Sequence, residues 1–250
     1  MKTVLSCAIM LCLLSTGRAE PLAQVVNAIK PSIVGIGSYQ KTRSPAITFI
    51  GTGFVVGDGL SVVTAAHVIQ SLLTAGSQET IGILTGRGDN AQFRPGAVVA
   101  LDQEHDLAQV RLTGSALPAL KLGDSASVAE GQAMAFTGFP LGMILGLHHV
   151  THRATVSAIT PVIMPSLSAQ KLDAKRLGQL QKPLYNVFQL DGTAYPGSSG
   201  SPLYDPETGL VYGVVNMVYV KGYKEAALTA PSGIAYAIPG NYIRNLLLKQ

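Results

Sequence analysis

From residue 32 onward the chain is divided into short apolar runs rich in Val, Ile, Phe and Thr, separated by Gly, Pro, Asp and Ser. Ser32–Gly37, Ile47–Val56, Ser61–Thr64, Ile81–Leu84, Gly96–Leu101, Ala108–Leu112, Gln132–Phe139, Thr151–Ser157, Val187–Leu190, Val211–Val218 and Gly233–Ile238 each have the length and β-branched content of a strand. About eleven such runs, each closed by turn residues, predict an all-β sandwich or barrel. Helices are expected only near the ends. In Glu20–Ile29 the residues Leu22, Val25, Val26 and Ile29 share one face and Pro31 stops the pattern; in Asn241–Leu248, Tyr242, Ile243 and Leu246–Leu248 are apolar. Thr113–Ser127 carries turn residues without a sustained period, which divides the mature chain into halves at 20–115 and 116–250. No internal repeat of 20–50 residues is visible. One stretch departs from the β pattern: Ser166–Lys182 is polar and net positive, and reads either as a solvated surface excursion or as a flap beside a binding site.

Composition first points elsewhere. Hydrophobic residues make up 47% of the 250 and charged residues 13%, a balance that suits a membrane protein. The longest apolar run, however, is Val4–Leu14, eleven residues, against the roughly 20 needed to cross a bilayer. Lys2 precedes it and the small-x-small triplet Gly17-Arg18-Ala19 follows, so residues 1–19 read as a secretory signal cleaved after Ala19. The mature chain is then expected to be exported, to the periplasm or beyond, without stable membrane association. Both cysteines, Cys7 and Cys12, lie in that leader. The mature chain therefore has no disulfide, no thiolate chemistry and no cysteine-bound metal. Losing Lys2 and Arg18 lowers the formal charge from +4 to +2, which argues against a nucleic-acid partner.

Three segments carry chemistry. Val62-Val63-Thr64-Ala65-Ala66-His67-Val68 reads as a strand presenting His67 at its tip. His105-Asp106-Leu107-Ala108 sets an acid at the head of an apolar strand, and Pro196-Gly197-Ser198-Ser199-Gly200-Ser201-Pro202 sets serines in a glycine-flanked turn. A serine hydroxyl needs a neighbouring base to take its proton. Histidine, whose unperturbed pKa is near 6.5, suits that exchange, and a carboxylate holds the imidazole in the right tautomer. Glycines at the turn leave the Gly197 and Ser199 amides open to stabilise a developing oxyanion. Each segment alone is weak; in the order His, Asp, Ser they form a joint signal.

That order and the two-half β organisation resemble the chymotrypsin fold, and the motifs narrow the resemblance to Deg/HtrA-type serine proteases. Thr52-Gly53-Phe54-Val55-Val56 and Val63 through Ile69 are similar to the family's histidine region, Asp106-Leu107-Ala108 to its acid motif, and Asp191 through Leu203 to its nucleophile segment. Gly213–Asn216 and Gly233–Pro239 resemble the pocket-wall strands that follow. The resemblance, which covers the chain from about Leu22, implies two antiparallel six-stranded β-barrels with short terminal helices and a triad of His67, Asp106 and Ser199 in the cleft between them. It further implies an acyl-enzyme mechanism acting on polypeptides, without cofactor or metal. Alignment on Gly197 and Gly200 selects Ser199, with Ser201 as the alternative nucleophile. The substrate pocket would use Thr193 as floor and Asn216, Met217, Val218 and Ala235 as walls. None of these is acidic, so a basic side chain would be buried unpaired, and cleavage after small or medium aliphatic residues is expected.

The sequence departs from the family in having Ser198 where Asn is usual, Ser201 where Gly is usual, and no C-terminal PDZ module after the closing helix. Asp102, four residues before Asp106, is the rival acid and is read as a turn residue, with His105 as a surface neighbour. His148, His149 and His152 form a cluster with no accompanying carboxylate, read as a solvated loop entering a strand and not as a zinc site. A non-catalytic peptide-binding protein on the same scaffold is the alternative function. An α/β-hydrolase esterase is disfavoured because Ser201 stands where its nucleophile elbow needs glycine, and because the acid precedes the serine. Oligomeric state is not legible, and Leu141–Leu147 with Ser166–Lys182 are the segments where the resemblance implies any loop rearrangement would fall.

Overall fold

The computed structural model describes residues 21–73, 79–86, 90–162, 185–216 and 233–248. The proposed leader 1–19, the 166–182 segment, Met217 and Val218 lie outside the described residues. The first six strands are β1 (Ile33–Tyr39), β2 (Ile47–Val56), β3 (Ser61–Ala65), β4 (Thr80–Thr85), β5 (Gln92–Asp102) and β6 (Leu107–Leu112). The second six are β7 (Ala133–Gly138), β8 (Val150–Pro161), β9 (Asn186–Asp191), β10 (Pro202–Tyr204), β11 (Val211–Asn216) and β12 (Ile234–Pro239). Among the described residues three α-helices accompany them: α1 (Pro21–Ile29), α2 (Ala66–Leu73) and α3 (Asn241–Leu247).

The expected pair of antiparallel six-stranded barrels is what the chain forms. The first closes in the order β1-β2-β3-β6-β5-β4 and the second in the order β7-β8-β9-β12-β11-β10, so one topology occurs twice. Closure removes every exposed sheet edge, as a twisted sheet of this size requires to avoid unpaired backbone groups. The sequence shows no trace of this duplication, because topology depends on strand order and not on side-chain identity. The twelfth strand, β10, is three residues long and begins at Pro202, too short to register as an apolar run.

Several strands bury both faces. Along β2, Val55 enters the first barrel's interior while Phe54 and Val56 enter a layer between the barrels; β3 splits Val62 and Val63, and β11 splits Val215 and Val214, in the same way. Side chains on a strand alternate between faces, so a strand buried on both sides reads as a continuous apolar run. The two cores and the layer between them account for much of the apolar content of the described residues.

The terminal helices cross over. A Cβ on Gly209, in the β10–β11 turn of the second barrel, would stand 3.3 Å from Val25 and 3.4 Å from Ile29 of α1, although α1 leads into the first barrel. Helix α3 follows the second barrel but packs on β5 and β6 of the first, burying Ile243 and Leu246 completely. The connecting segment stitches the same seam: Leu120 N donates to Val55 O at 2.8 Å and Val211 N to Lys121 O at 2.9 Å. No described helix is long and apolar enough to cross a membrane.

The histidine cluster differs from its expected solvated state. His148 is exposed, but His149 packs at 4.4 Å on Phe139 with Nε2 at 3.0 Å from Ile33 O, and His152 stacks at 4.9 Å on Phe136. The two rings fill space beside phenylalanines in and beside β7, and no metal-holding cluster forms among the described residues. Burial lowers the pKa of His152 below its ordinary 6.5, because the charged imidazolium loses hydration there. A lowered folded-state pKa contributes stability that is present above pH 6.5 and lost as pH falls below it, where the unfolded chain takes up the proton first. The urea midpoint is expected to fall between pH 7 and 5, and His152→Gln to flatten that fall; an unchanged slope in the variant would rule the assignment out.

Candidate active site

The site is built on two seams between the barrels. At the first, Asp106 heads β6 with φ of 52°, a left-handed conformation uncommon for a residue with a side chain and characteristic of functional positions. This places its carbonyl on Ala66 N at 3.0 Å and its Oδ1 on His67 N at 2.8 Å. Both amides belong to the first turn of α2, where no intrahelical acceptor exists. Asp106 is thus the N-terminal cap of that helix, supplied from 39 residues away in sequence. The sequence pattern sets His67 at the tip of a strand; in the structure it is the second residue of α2, a helix with no cap residue beside it in sequence to signal its start.

The other carboxylate oxygen orients the imidazole. Asp106 Oδ2 lies 2.7 Å from His67 Nδ1 and 2.6 Å from Asn216 Nδ2 at the end of β11. An ionised carboxylate only accepts, so the proton of a neutral His67 sits on Nδ1 and leaves the Nε2 lone pair free. Asn216, expected as a pocket wall, instead turns its amide onto the acid from the second barrel. Asp102 accepts from Glu104 N and His105 N, each at 3.1 Å, and from the His105 ring at 3.0 Å. It closes the β5–β6 turn, while His105 stacks at 3.8 Å on Tyr242 of α3.

At the second seam the serine turn rests on β2. Thr52 N donates to Ser199 O at 2.9 Å and Thr52 Oγ1 to Gly197 O at 2.7 Å. A Cβ on Gly51 would lie 2.8 Å from Val68 and 3.1 Å from Ser199 O, so the residue after His67 and the serine backbone close on the same glycine. Among the described residues no hydrogen bond joins Ser199 Oγ to His67. In unliganded sites such bonds are often long and tighten on substrate binding.

Hydrogen-bond accounting separates the three serines and the turn's amides. Ser198 Oγ and Ser201 Oγ are enclosed without a partner among the described residues, whereas Ser199 is the most open of the three at 7% exposure. Every carbonyl from Pro196 to Ser199 is engaged: by Leu141 N (2.7 Å), Thr52 Oγ1 (2.7 Å), Ser201 N (3.0 Å) and Thr52 N (2.9 Å) in order. The amides of Ser198, Gly200 and Ser201 donate to Tyr195 O, Val215 O and Ser198 O. Only the Gly197 and Ser199 amides of this run donate to no described residue. Gly197 and Gly200 have φ of 96° and 88°, a region that a Cβ disfavours.

Of the expected pocket residues, Thr193 is half-buried ahead of the turn and Ala235 is 4% exposed within the second barrel's core. Gly192 N donates to Gly233 O at 3.0 Å, which sets their two segments side by side.

Residues 51–214 match a family model described as a trypsin-like peptidase domain. The mitochondrial serine protease HTRA2 of Bos taurus is 31% identical over 231 residues, which cover 90% of this chain and 42% of that protein. Serine protease HTRA3 of Rattus norvegicus is 26% identical over 231 residues, 90% of this chain and 43% of that protein. A "Probable periplasmic serine endoprotease DegP-like" of Halomonas elongata is 27% identical over 199 residues, 78% of this chain and 35% of that one. The chain spans less than half the length of these curated relatives. Among solved structures, Deg5 aligns with a TM-score of 0.64 at 23% identity, covering 90% of this chain and 91% of that one. The HtrA-type protease AlgW with tripeptide gives 0.63 at 19% identity, covering 91% and 62%. At those identities the likeness shows the fold.

Because Asp106 caps α2 as well as holding His67, its loss carries a stability cost. Asp106→Ala is expected to lower unfolding free energy by about 1–2 kcal/mol, the usual effect of removing an N-cap. Asp106→Asn, which keeps an oxygen for His67 N, should lose less. Equal urea midpoints for Asp106→Ala and the parent would refute the capping role.

Proposed function

The chain belongs to the trypsin-like peptidase family, and from that membership we propose that it is a serine endopeptidase whose triad is His67, Asp106 and Ser199. The observation that carries this reading is the state of the serine turn, in which the Gly197 and Ser199 amides alone donate to no described residue. Two backbone donors held ready by a fully engaged frame are what a tetrahedral oxyanion requires.

In this mechanism His67 Nε2 takes the Ser199 Oγ proton as the oxygen attacks the scissile carbonyl. The carbonyl oxygen becomes an anion held by the two amides. The imidazolium keeps its Nδ1 proton in a hydrogen bond to Asp106 Oδ2, which Asn216 steadies, and then gives the Nε2 proton to the departing amine. Water, deprotonated by the same nitrogen, releases the acyl group and restores the serine.

The substrate is an extended or unfolded polypeptide, cut after small or medium aliphatic residues. Thr193 and Ala235 offer no charge to pair with a basic side chain, and the Asn216 amide is already committed to the acid. Residues 1–19 act as an export leader, a reading in keeping with the periplasmic description of the Halomonas elongata relative. The intact mass of the exported protein is expected to correspond to a chain starting at Glu20; retention of residues 1–19 would contradict this.

A fluorophosphonate reacts only with an activated serine. The parent protein is expected to be labelled, and Ser199→Ala to resist labelling and lose turnover by about six orders of magnitude. Cleavage sites mapped in an unfolded protein should follow Val, Ala or Ile. Labelling retained in Ser199→Ala would transfer the role to another serine, and a dominant preference after Lys or Arg would reject the pocket reading. An unlabelled, inactive parent would favour the non-catalytic peptide-binding role.

A further inference from the structure

One threonine of the first barrel uses all its hydrogen-bonding groups around the serine turn. Thr52 is fully buried, and its N–H donates to Ser199 O at 2.9 Å while its carbonyl accepts from Thr64 Oγ1 at 2.7 Å. Its hydroxyl donates to Gly197 O at 2.7 Å and accepts from Phe139 N at 3.1 Å. Strand formation by β2 does not call for this hydroxyl, since valine has nearly the same shape and is likewise favoured in sheets. The hydroxyl instead serves two backbone groups beyond its own barrel, the buried Phe139 N–H, for which no other partner is described, and the half-buried Gly197 carbonyl.

We propose that Thr52 is a positioning residue that sets the oxyanion donors. The inference rests on the reading that the Gly197 and Ser199 amides stabilise the oxyanion. A trans peptide points its C=O and N–H in opposite directions, so gripping a carbonyl fixes the plane of that peptide. Thr52 grips the carbonyls of Gly197 and Ser199, the peptides on either side of the one that carries the Ser199 N–H. The Gly197 N–H lies in the 196–197 peptide, whose carbonyl is held by Leu141 N at 2.7 Å. Leu141 lies two residues beyond Phe139, whose amide ends on the Thr52 hydroxyl. Ser201 N holds Ser198 O, the carbonyl of the 198–199 peptide itself, at 3.0 Å, and the Thr52 hydroxyl ties the adjoining 197–198 peptide to the Phe139–Leu141 segment that holds the other donor peptide. Gly197, with φ of 96°, has the backbone freedom to rotate away once that grip is lost.

The test compares Thr52→Val, which keeps shape and removes the hydroxyl, with Thr52→Ser, which keeps the hydroxyl. In Thr52→Val, kcat on a peptide substrate is expected to fall about 10²–10³-fold, the effect of losing one oxyanion donor, with KM within about two-fold. Affinity for a tripeptide aldehyde ending in valinal, whose adduct carries the oxyanion, should weaken by the same factor. Thr52→Ser should stay within about three-fold of the parent in both, as the same hydroxyl remains. A merely structural threonine would lower the melting temperature of Thr52→Val and leave kcat and aldehyde affinity unchanged below it, which would overturn the proposal. If Thr52→Val does not fold, Thr52→Cys, with a weaker donor and acceptor, takes its place: an intermediate loss in kcat supports the proposal and parental kcat overturns it. Fluorophosphonate labelling of the parent keeps the two failures apart. An unlabelled parent refutes the catalytic reading itself, whereas a labelled parent with an equally active Thr52→Val refutes only the role of Thr52.

Discussion

Asp106 receives hydrogen bonds from three directions, and the arrangement of both barrels meets at its carboxylate. The amide of His67 comes from the first turn of α2, the ring of His67 from the same residue's side chain, and the amide of Asn216 from the second barrel. Three donors meet the lone pairs of this half-buried carboxylate, whose partial removal from water would otherwise be costly. Helix start, imidazole orientation and barrel docking are therefore one constraint. The left-handed backbone at Asp106 is the local strain that lets its carbonyl and side chain face the same helix end.

The second constraint is the apolar layer between the barrels. Phe54, Val56, Val63, Leu107, Val214 and Ile238 fill it from strands whose opposite faces fill the barrel interiors. Each terminal helix packs on the barrel to which it is not adjacent in sequence, α1 on the β10–β11 turn and α3 on β5 and β6. Neither barrel can shift without exposing this layer. In the proposed mechanism that rigidity matters, since the histidine and acid stand on one barrel and the serine turn on the other. Displacements of about an ångström between reacting groups lower rates by two orders of magnitude.

Much of this was legible in the chain. Eleven of the twelve strands follow from β-branched runs and turn residues, because local propensity and burial agree there. The terminal helices follow from apolar stripes and Pro31. The two-barrel architecture came from the resemblance, since strand spacing alone does not distinguish a barrel from a sandwich. The segments around His67, Asp106 and Ser199 stood out by chemistry and order. What escaped was whatever depends on a distant partner. Helix α2 has no cap residue of its own, and β10 is held by neighbours more than by its three residues. Asn216 gives no local sign that its amide serves an acid 110 residues away. His149 and His152 look like solvated histidines until Phe139 and Phe136 are placed beneath them.

The apolar composition of a chain in which no described helix is long and apolar enough to cross a membrane is explained in the same terms. Sequence by itself determined the class of structure and the chemical groups on offer: short strands, terminal helices, a cysteine-free mature chain if the leader is removed, and a histidine, an acid and serines in a suggestive order. Those are properties of single segments, set by propensity and period. Tertiary structure alone decided which groups meet. It aimed Asn216 at Asp106, enclosed Ser198 and Ser201 while leaving Ser199 the most open, and engaged the carbonyls of Pro196 to Ser199 while the Gly197 and Ser199 amides donate to no described residue. Hydrogen-bond partners across more than a hundred residues depend on how two barrels pack, and no local pattern encodes that distance.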